Sequence, residues 1–239
     1  MISVCLASYN GEKYIHEQLS SILACLDSED ELIVSDDGSS DGTISIIKDL
    51  VLRDKRIKLV DGPHRGVIAN FSNLISLAKG DEIFLSDQDD VWHPDKVSKV
   101  MSTFEMTGTD LVTHNARIVD SERNPTKSTL FSIRSSKPGF LKNVVKNSYV
   151  GCCMAFKREI VPYILPIPEN IEMHDWWIGL VGELMTSPVF IDDELIDYRR
   201  HNANVSPMNH YGFKKMVNNR VVLLTEIAKR RQFIAERGV

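Results

Sequence analysis

The chain is poor in several features, and each shortage excludes a class of protein. Cysteine is scarce: Cys5, Cys25, Cys152 and Cys153 are the only four in 239 residues. None falls in a CxxC pair or beside histidines at zinc spacing, so neither a disulfide framework nor a zinc site is expected, and a reducing cytosol is the default compartment. No apolar run approaches the roughly 18–20 residues that cross a bilayer. There is no GxGxxG after the first strand-like segment and no GxxxxGK[ST] anywhere, which disfavours dinucleotide enzymes and P-loop NTPases. Basic residues are not in excess, with 28 Lys+Arg against 33 Asp+Glu and a net charge of −5. That balance argues against a general nucleic-acid binder. Internal repeats and low-complexity tracts are missing, and Met1-Ile2-Ser3-Val4-Cys5 has neither a basic nor a long apolar leader region. It reads as a first strand and not as a secretory signal.

What remains is an ordinary soluble composition, 43% hydrophobic and 26% charged, long enough for one large domain or a domain with an appendage. The charge is uneven. From Phe213 onward Lys214, Lys215, Arg220, Lys229, Arg230, Arg231 and Arg237 face only Glu226 and Glu236, whereas residues 1–212 hold 21 basic and 31 acidic side chains. The same tail carries apolar residues at helical spacing: Phe213, Met216, Val217, Val221, Leu224, Ile227, Ala228 and Ile234. Two readings follow. The helix packs its apolar face on the body, or it meets anionic lipid headgroups with its basic face.

The first hundred residues alternate. Strand-like runs at Ile2–Ala7, Glu31–Ser35, Ile57–Val60 and Glu82–Ser86 are followed by helical spacing at Glu12–Leu26, Thr43–Leu52, Val67–Ala78 and from Pro94 to Met106. Four βα units with short loops predict an α/β fold, a mostly parallel sheet with helices on both faces. Ligands in such sheets bind beyond the carboxyl ends of the strands. The residues there are Ser8-Tyr9-Asn10-Gly11, then Asp36 to Gly42, then His64-Arg65-Gly66, then Asp87-Gln88-Asp89-Asp90. Carboxylates converging from neighbouring strand ends repel one another unless a cation sits between them, and hard oxygen ligands suit Mg2+ or Mn2+ on phosphates. Each acidic segment alone also fits a plain turn or helix cap. It is their joint placement that points to a site.

The second half is less regular. Asp110–Val119 reads as a strand, and Asp120–Lys127 as a polar stretch. Tyr149–Phe156 reads as a strand interrupted at Gly151-Cys152-Cys153, whose cysteines would alternate faces on a strand. Ile171–Glu183 reads as an apolar helix opening with His174-Asp175-Trp176-Trp177. Val189–Ile191 and Leu195–Tyr198 read as short strands joined by a turn at Asp192-Asp193.

Taken together, Ala7-Ser8-Tyr9-Asn10, Ser35 to Thr43, Phe84 to Asp95, Gly151 to Phe156, His174 to Trp177 and Tyr198-Arg199-Arg200-His201-Asn202 resemble the family-2 glycosyltransferases of the GT-A fold. The resemblance spans roughly residues 2–205 in the family's order. Its nearest flavour is the bacterial enzymes that build O-antigen and capsular polysaccharide. It implies a nucleotide-sugar-binding half at 1–106 and an acceptor-binding and catalytic half of the same domain at 107–205; the charge and apolar spacing add a basic helical tail at 206–239.

Site roles follow from the resemblance, position by position. Donor contacts would come from Ala7, Tyr9, Asp37, Arg65, Gly66, Asp87 and Gln88, with Asp37 accepting the N3–H of uracil or thymine. Asp87 and Asp89 match the DxD element, Asp87 toward the ribose and Asp89 toward a Mn2+ or Mg2+ on the diphosphate. Asp90 stands next to them and could take either role. His201 matches a metal or diphosphate contact, and Asp175 matches the catalytic base. Gly151, Cys152, His174, Trp176 and Trp177 are acceptor-side candidates, although core packing suits at least one tryptophan and a helix cap suits Asp175.

The expected activity is metal-dependent inverting transfer of a sugar from a nucleoside diphosphate, UDP first and dTDP-rhamnose next, to a saccharide acceptor carried on a lipid diphosphate. The expected location is cytoplasmic, peripheral on the inner face of the cytoplasmic membrane. Two alternatives stay open. Ile83 to Val91 also fits, by letter, the DxDx[TV] nucleophile motif of haloacid-dehalogenase-type phosphatases, with Asp192-Asp193 as a later acidic pair. That motif normally opens its domain, whereas here three βα units precede it. A relative that binds sugar nucleotides without catalysis is the other.

Overall fold

In the computed structural model, residues 1–201 and 212–237 are described. Asn202 and the opening of the 206–239 tail fall outside them. The alternating half folds as β1 (Ile2–Ser8), α1 (Ile15–Leu23), β2 (Glu31–Asp36), α2 (Thr43–Val51), β3 (Ile57–Asp61), α3 (Val67–Leu77) and β4 (Glu82–Ser86). A two-residue strand β5 (Val91–Trp92) and α4 (Lys96–Thr107) follow. The first four strands are parallel in the order β3-β2-β1-β4. The chain therefore builds outward from β1 through β2 to β3 and then returns to the other side of β1. That reversal opens a crevice at the carboxyl ends of β1 and β4.

Period-two alternation explains why both faces need cover. Val4 and Leu6 of β1, Leu32 and Val34 of β2 and Phe84 of β4 join one core with Ile15, Leu19 and Ile22 of α1 and Val100 of α4. Cys5, Ile33, Ile83 and Leu85 point the other way, onto Phe71, Leu74 and Ile75 of α3. Register keeps the strand ends level, with Ser8 beside Asp36 and Leu6 beside Ser86.

The second half continues the same sheet: β6 (Leu111–Val119), β7 (Pro125–Thr129), α5 (Leu130–Arg134), α6 (Phe140–Val145), β8 (Met154–Lys157), α7 (Val161–Ile164), α8 (His174–Met185) and β9 (Val189–Arg199). Strand β8 runs antiparallel between β4 and β6, β9 runs parallel to β6, and β5 and β7 pair antiparallel with β9 and β6. Three local expectations are corrected. Asp192-Asp193 is no turn: β9 is one strand whose register against β6 slips near Asn115. The slip lets Asp192 accept from Asn115 Nδ2 at 2.8 Å and Asp193 pair with Lys99. Gly151–Cys153 is a 3-10 turn closed by Cys153 N–H on the Val150 carbonyl, so both cysteines enter the same core and do not alternate. Finally, Pro125–Thr129 within and beyond the polar stretch is an exposed edge strand. All four cysteines are free.

The tail forms a 24-residue helix, α9 (Phe213–Glu236). Leu223, Ile227 and Ile234 are buried, while Val217, Val221 and Leu224 stay exposed. The buried stripe meets α8, and Arg230 donates to the carbonyls of Leu165 and Pro166 at 2.7 and 2.8 Å. The packed face is thus turned about one residue, roughly 100°, from part of the apolar spacing read in the sequence. No helix among the described residues is long and apolar enough to cross a membrane.

Candidate active site

A cleft of about 650 Å³ opens at the reversal point. One wall comes from the ends of β1, β2 and α3. Asp36 is consumed by structure: its carboxylate accepts from Gly38 N, Ser39 N, Ser39 Oγ and Ser8 Oγ at 2.6–3.1 Å. Such a turn frees its neighbour. Asp37 accepts from Gly66 N at 2.7 Å through Oδ2, while its Oδ1 is buried without a partner. Gly66 can present that N–H because its φ is +86°, a conformation that resists any side chain. Asn70 of α3 donates to the Ser35 carbonyl and leaves its own Oδ1 unpartnered in the same wall. Tyr9, 58% exposed, overhangs the opening. Its backbone N–H and C=O are both clasped by the Gln88 amide at 2.9 Å, which ties the end of β1 to the end of β4.

The floor is acidic. Asp87, Asp90 and the Cys152 thiol bring one ligand atom each within 4.8 Å of one another. Burial, then the charges of Asp89 and Asp175, push the Asp87 carboxyl up to about 7. Asp90 is raised well above the usual range by burial and then by Asp89 and Asp87. Burial also raises Asp89, and a bond from His201 Nε2 to its Oδ2 at 2.8 Å offsets part of that. The His201 ring rests on Tyr14, with centroids 4.9 Å apart. Asp90 is held from behind by Arg199 N at 3.0 Å. Lys96 is fully buried below, donating to the Cys152 carbonyl at 2.9 Å with its ammonium 3.8 Å from the Trp92 ring centroid. Burial lowers it to about 8 although Cys153, Cys152 and Asp90 oppose the shift. Three desolvated, mutually repelling carboxylates fit a divalent cation, which removes the repulsion that raises them.

The facing wall is the start of α8. Asp175 lies in the first turn, where the helix dipole favours a carboxylate. It is 7% exposed, and its Oδ1 has no partner. Burial raises it to about 6, while Arg134, backbone N–H groups of Trp176 and Gly151, and the Asn147 side chain act in the opposite sense. His174 stacks on Phe71 with ring centroids 4.0 Å apart, and both its nitrogens are unpartnered. Burial drives its pKa down to about 3, so the ring is neutral. Gly151 permits this close approach, since a Cβ there would sit 2.8 Å from His174 Nε2.

The cleft is lined by Ala7, Tyr9, Asp37, Gly66, Asp87, Gln88, Asp89, Gly151, His174 and Asp175. His201 reaches it through Asp89. Four expected residues lie elsewhere. Arg65 is not in the lining: it points outward and pairs with Glu169, because the turn that aims Gly66 inward sends its neighbour to solvent. Cys152 lies beneath the floor, fully buried. Trp176 and Trp177 face the core, their indole N–H groups bonded to the carbonyls of Asn143 and Ile164 at 2.7 and 2.8 Å. On a helix starting at His174 they fall on the sides that meet α6 and α7, not on the cleft. Conversely, Ser8, His64, Val67, Asn70, Val150, Met173 and Tyr198 line the cleft without having been singled out as site residues. Ser8 and His64 stand at or after strand ends and Val67 and Met173 at helix starts, whereas Asn70, inside α3, and Val150 carried no local signal. Asp197 was missed too. Burial would raise it, yet bonds from His93, Arg123 and Arg117 hold it well below the usual carboxylate range.

The chain is similar to several known proteins. The chain is 27% identical over 215 residues to dTDP-rhamnosyl transferase RfbG of Shigella flexneri, covering 83% of this chain and 72% of RfbG. Among solved structures, S. aureus TarS 1-349 in complex with UDP-GlcNAc superposes with a TM-score of 0.73 at 16% identity, over 93% of this chain and 66% of TarS 1-349. Mannosyltransferase PcManGT from Pyrobaculum calidifontis, in complex with GDP-Man and Mn2+, gives 0.66 at 17% identity, over 96% and 64%. These two likenesses establish the expected GT-A fold. The sequence model of glycosyl transferase family 2 matches residues 3–165, and with the fold and the acidic cleft in agreement, the chain belongs to glycosyl transferase family 2.

Proposed function

We propose that this glycosyltransferase moves a sugar from a UDP- or dTDP-linked donor to a saccharide acceptor on a lipid diphosphate, with inversion at the anomeric carbon, at the inner face of the cytoplasmic membrane. The observation that carries the reading is the opposition of the two walls. Asp175, raised to about 6 with one oxygen unpartnered, faces the acidic floor across one cleft. The relatives support a sugar-nucleotide donor in coarser terms, since RfbG is named for dTDP-rhamnose and the two structures hold UDP-GlcNAc and GDP-Man. The unpartnered Asp37 Oδ1 favours a base with an imide N–H, uracil or thymine, because a buried acceptor without a donor is costly.

In this reading the base lies between Asp37 and the Tyr9 overhang, and the ribose and diphosphate extend toward Asp87 and Asp89. A divalent cation, Mn2+ or Mg2+, would be held by Asp89, with His201 beside it and the carboxylate of Asp87 in reach; when bound it supplies charge neutralisation for the leaving diphosphate. Asp175 Oδ1 takes the proton of the acceptor hydroxyl as the new glycosidic bond forms. Burial raises the Asp175 carboxyl to about 6, and its place in the first turn of α8 favours the carboxylate, so it is ionised at pH 7. His174, neutral and pinned on Phe71, walls the acceptor side and does not compete for the proton.

The test is Asp175→Asn. Transfer to acceptor should fall by about 10²–10⁴-fold, while binding of the matching nucleoside diphosphate, followed by thermal shift with and without Mn2+, should stay within threefold. Unchanged turnover would make the chain a sugar-nucleotide binder whose cleft does no chemistry of this kind. The same thermal-shift assay with UDP, dTDP, GDP and CDP names the base, because only a bound nucleotide stabilises the fold by mass action.

A further inference from the structure

The tail is not the only basic part of the chain. Between Arg123 and Arg158 there is no Asp or Glu, and eight Lys and Arg residues occur. Arg123, Lys157 and Arg158 are bound into the body, to Asp197, Asp110 and the carbonyls of Ala78 and Gly80. Four of the others, Arg134, Lys137, Lys142 and Lys146, gather on α5, α6 and their connections. They are close enough that, after burial, Lys146 and Lys137 lower Lys142 further and Arg134 adds to it.

The same elements expose apolar surface. Of the eleven large apolar side chains exposed among the described residues, six lie on α5, α6 and α9. Leu141 and Val145, one turn apart on α6, are 79% and 66% exposed, and Val221 on α9 is 57% exposed. Arg220 joins the two helices, donating to the Val145 carbonyl at 2.5 Å with its guanidinium 5.6 Å from the Trp176 ring. Val217, Val221 and Leu224 lie on the α9 flank beside Arg220. Helices α6 and α9 thus meet with exposed apolar side chains on both, and the basic cluster lies on the α5–α6 side of them. This surface borders the acceptor side of the cleft, because Asn147, just after α6, and Arg134 both act on the Asp175 carboxylate. Folded soluble proteins seldom leave such a patch uncovered. The basic cluster gives its partner a negative charge, and the exposed apolar side chains give it a hydrocarbon boundary.

We propose that the exposed faces of α6 and α9 form a docking surface for an anionic bilayer, with Leu141, Val145 and Val221 entering the headgroup boundary and Arg134, Lys137 and Lys146 meeting lipid phosphates. Docking there turns the Asp175 side of the cleft to the membrane, where a lipid-linked acceptor would be presented. The orientation rests on the reading of Asp175 as facing the acceptor. The docking itself does not, because it is measured without turnover.

The experiment is co-sedimentation of the 239-residue chain with vesicles of phosphatidylcholine alone or with 30 mol% phosphatidylglycerol, about 0.1 M salt. The chain should bind the anionic vesicles and lose most of that binding at about 0.5 M salt. Lys137→Gln with Lys146→Gln should weaken it roughly 30-fold, at about fivefold per surface charge. Leu141→Asp with Val221→Asp should weaken it comparably without lowering the melting temperature. Leu52→Asp with Lys55→Gln, an equally exposed pair on the far α2 end, should change nothing. Equal binding to both vesicle types, no binding, or equal losses in the α2 control would overturn the proposal. So would a stable dimer that Leu141→Asp breaks, since a second copy would then be the occupant. Transfer to a soluble acceptor by the Lys137→Gln, Lys146→Gln chain should persist. If Asp175→Asn keeps full turnover while vesicle binding holds, the functional reading fails and the docking surface stands.

Discussion

Asp197 and Asp90 are buried and Asp87 and Asp89 half-buried carboxylates near the junction of β4, β5 and β9, and the fold treats them in opposite ways. Around Asp197, 1% exposed, the chain places His93, Arg117 and Arg123, with contacts of 2.6–2.9 Å. The result is a carboxylate held well below its usual pKa. At the floor of the cleft Asp89 takes the His201 contact and Asp90 a backbone N–H from Arg199, yet Asp87, Asp89 and Asp90 are all pushed up. A buried charge that the protein neutralises itself is structural glue. A carboxylate whose pKa stays raised in spite of its partners, in a cleft, is placed for a ligand.

Asp87→Asn should sharpen the contrast most. Turnover should fall by about 10²–10⁴-fold, yet without metal the protein should melt at a higher temperature, a gain of about 1 kcal/mol from removing a repelled charge. A lower melting temperature would sink the contrast. Asp197→Asn should do the reverse. It removes the carboxylate shared by His93, Arg117 and Arg123, so stability should fall by about 2–3 kcal/mol and the melting temperature by roughly 5–10 °C, with activity per folded molecule retained in the cold. Mn2+ at a hundredfold excess over its Kd should stabilise the parent chain by about 2.7 kcal/mol and so raise its melting temperature. The same titration should move Asp87→Asn little and Asp197→Asn fully.

Two pH experiments give the smaller effects. A base is active when deprotonated, so with Asp175 near 6 kcat/KM should be level above pH 6.5 and fall tenfold per unit below about 5.5. A profile level down to pH 4.5 would mean that another group takes the proton. For Asp197 the folded pKa lies below the unfolded value of about 3.9, so its contribution is present above that value and is lost as pH falls through the folded pKa. The stability gap between the parent and Asp197→Asn, read from urea melts, should therefore hold from pH 8 to 5 and shrink only below about 4.

Much of the site was legible because its signals are local. A strand alternates every two residues and a helix every 3.6, so the four βα units stand out within short windows. The sheet then carries whatever follows each strand to one edge. Asp37, Gly66, Asp87, Gln88 and Asp89 reached the cleft for that reason. Arg65 did not, since one peptide bond from a positive-φ glycine reverses where a side chain points. Trp176 and Trp177 stand next to Asp175 in the chain, yet at 100° per residue they leave its face for the core.

The four βα units of the first half and the acidic strand ends were thus determined by the sequence alone, along with the family that combines them, whereas β7 and the single strand β9 were not. Only the tertiary structure decided which acids are neutralised. The partners of Asp197 lie 74 to 104 residues away in the chain, and no local pattern encodes a cation arriving from that distance. The gathering of Lys137, Lys142 and Lys146 beside α9 was settled the same way, by helix packing that brings remote charges onto one face.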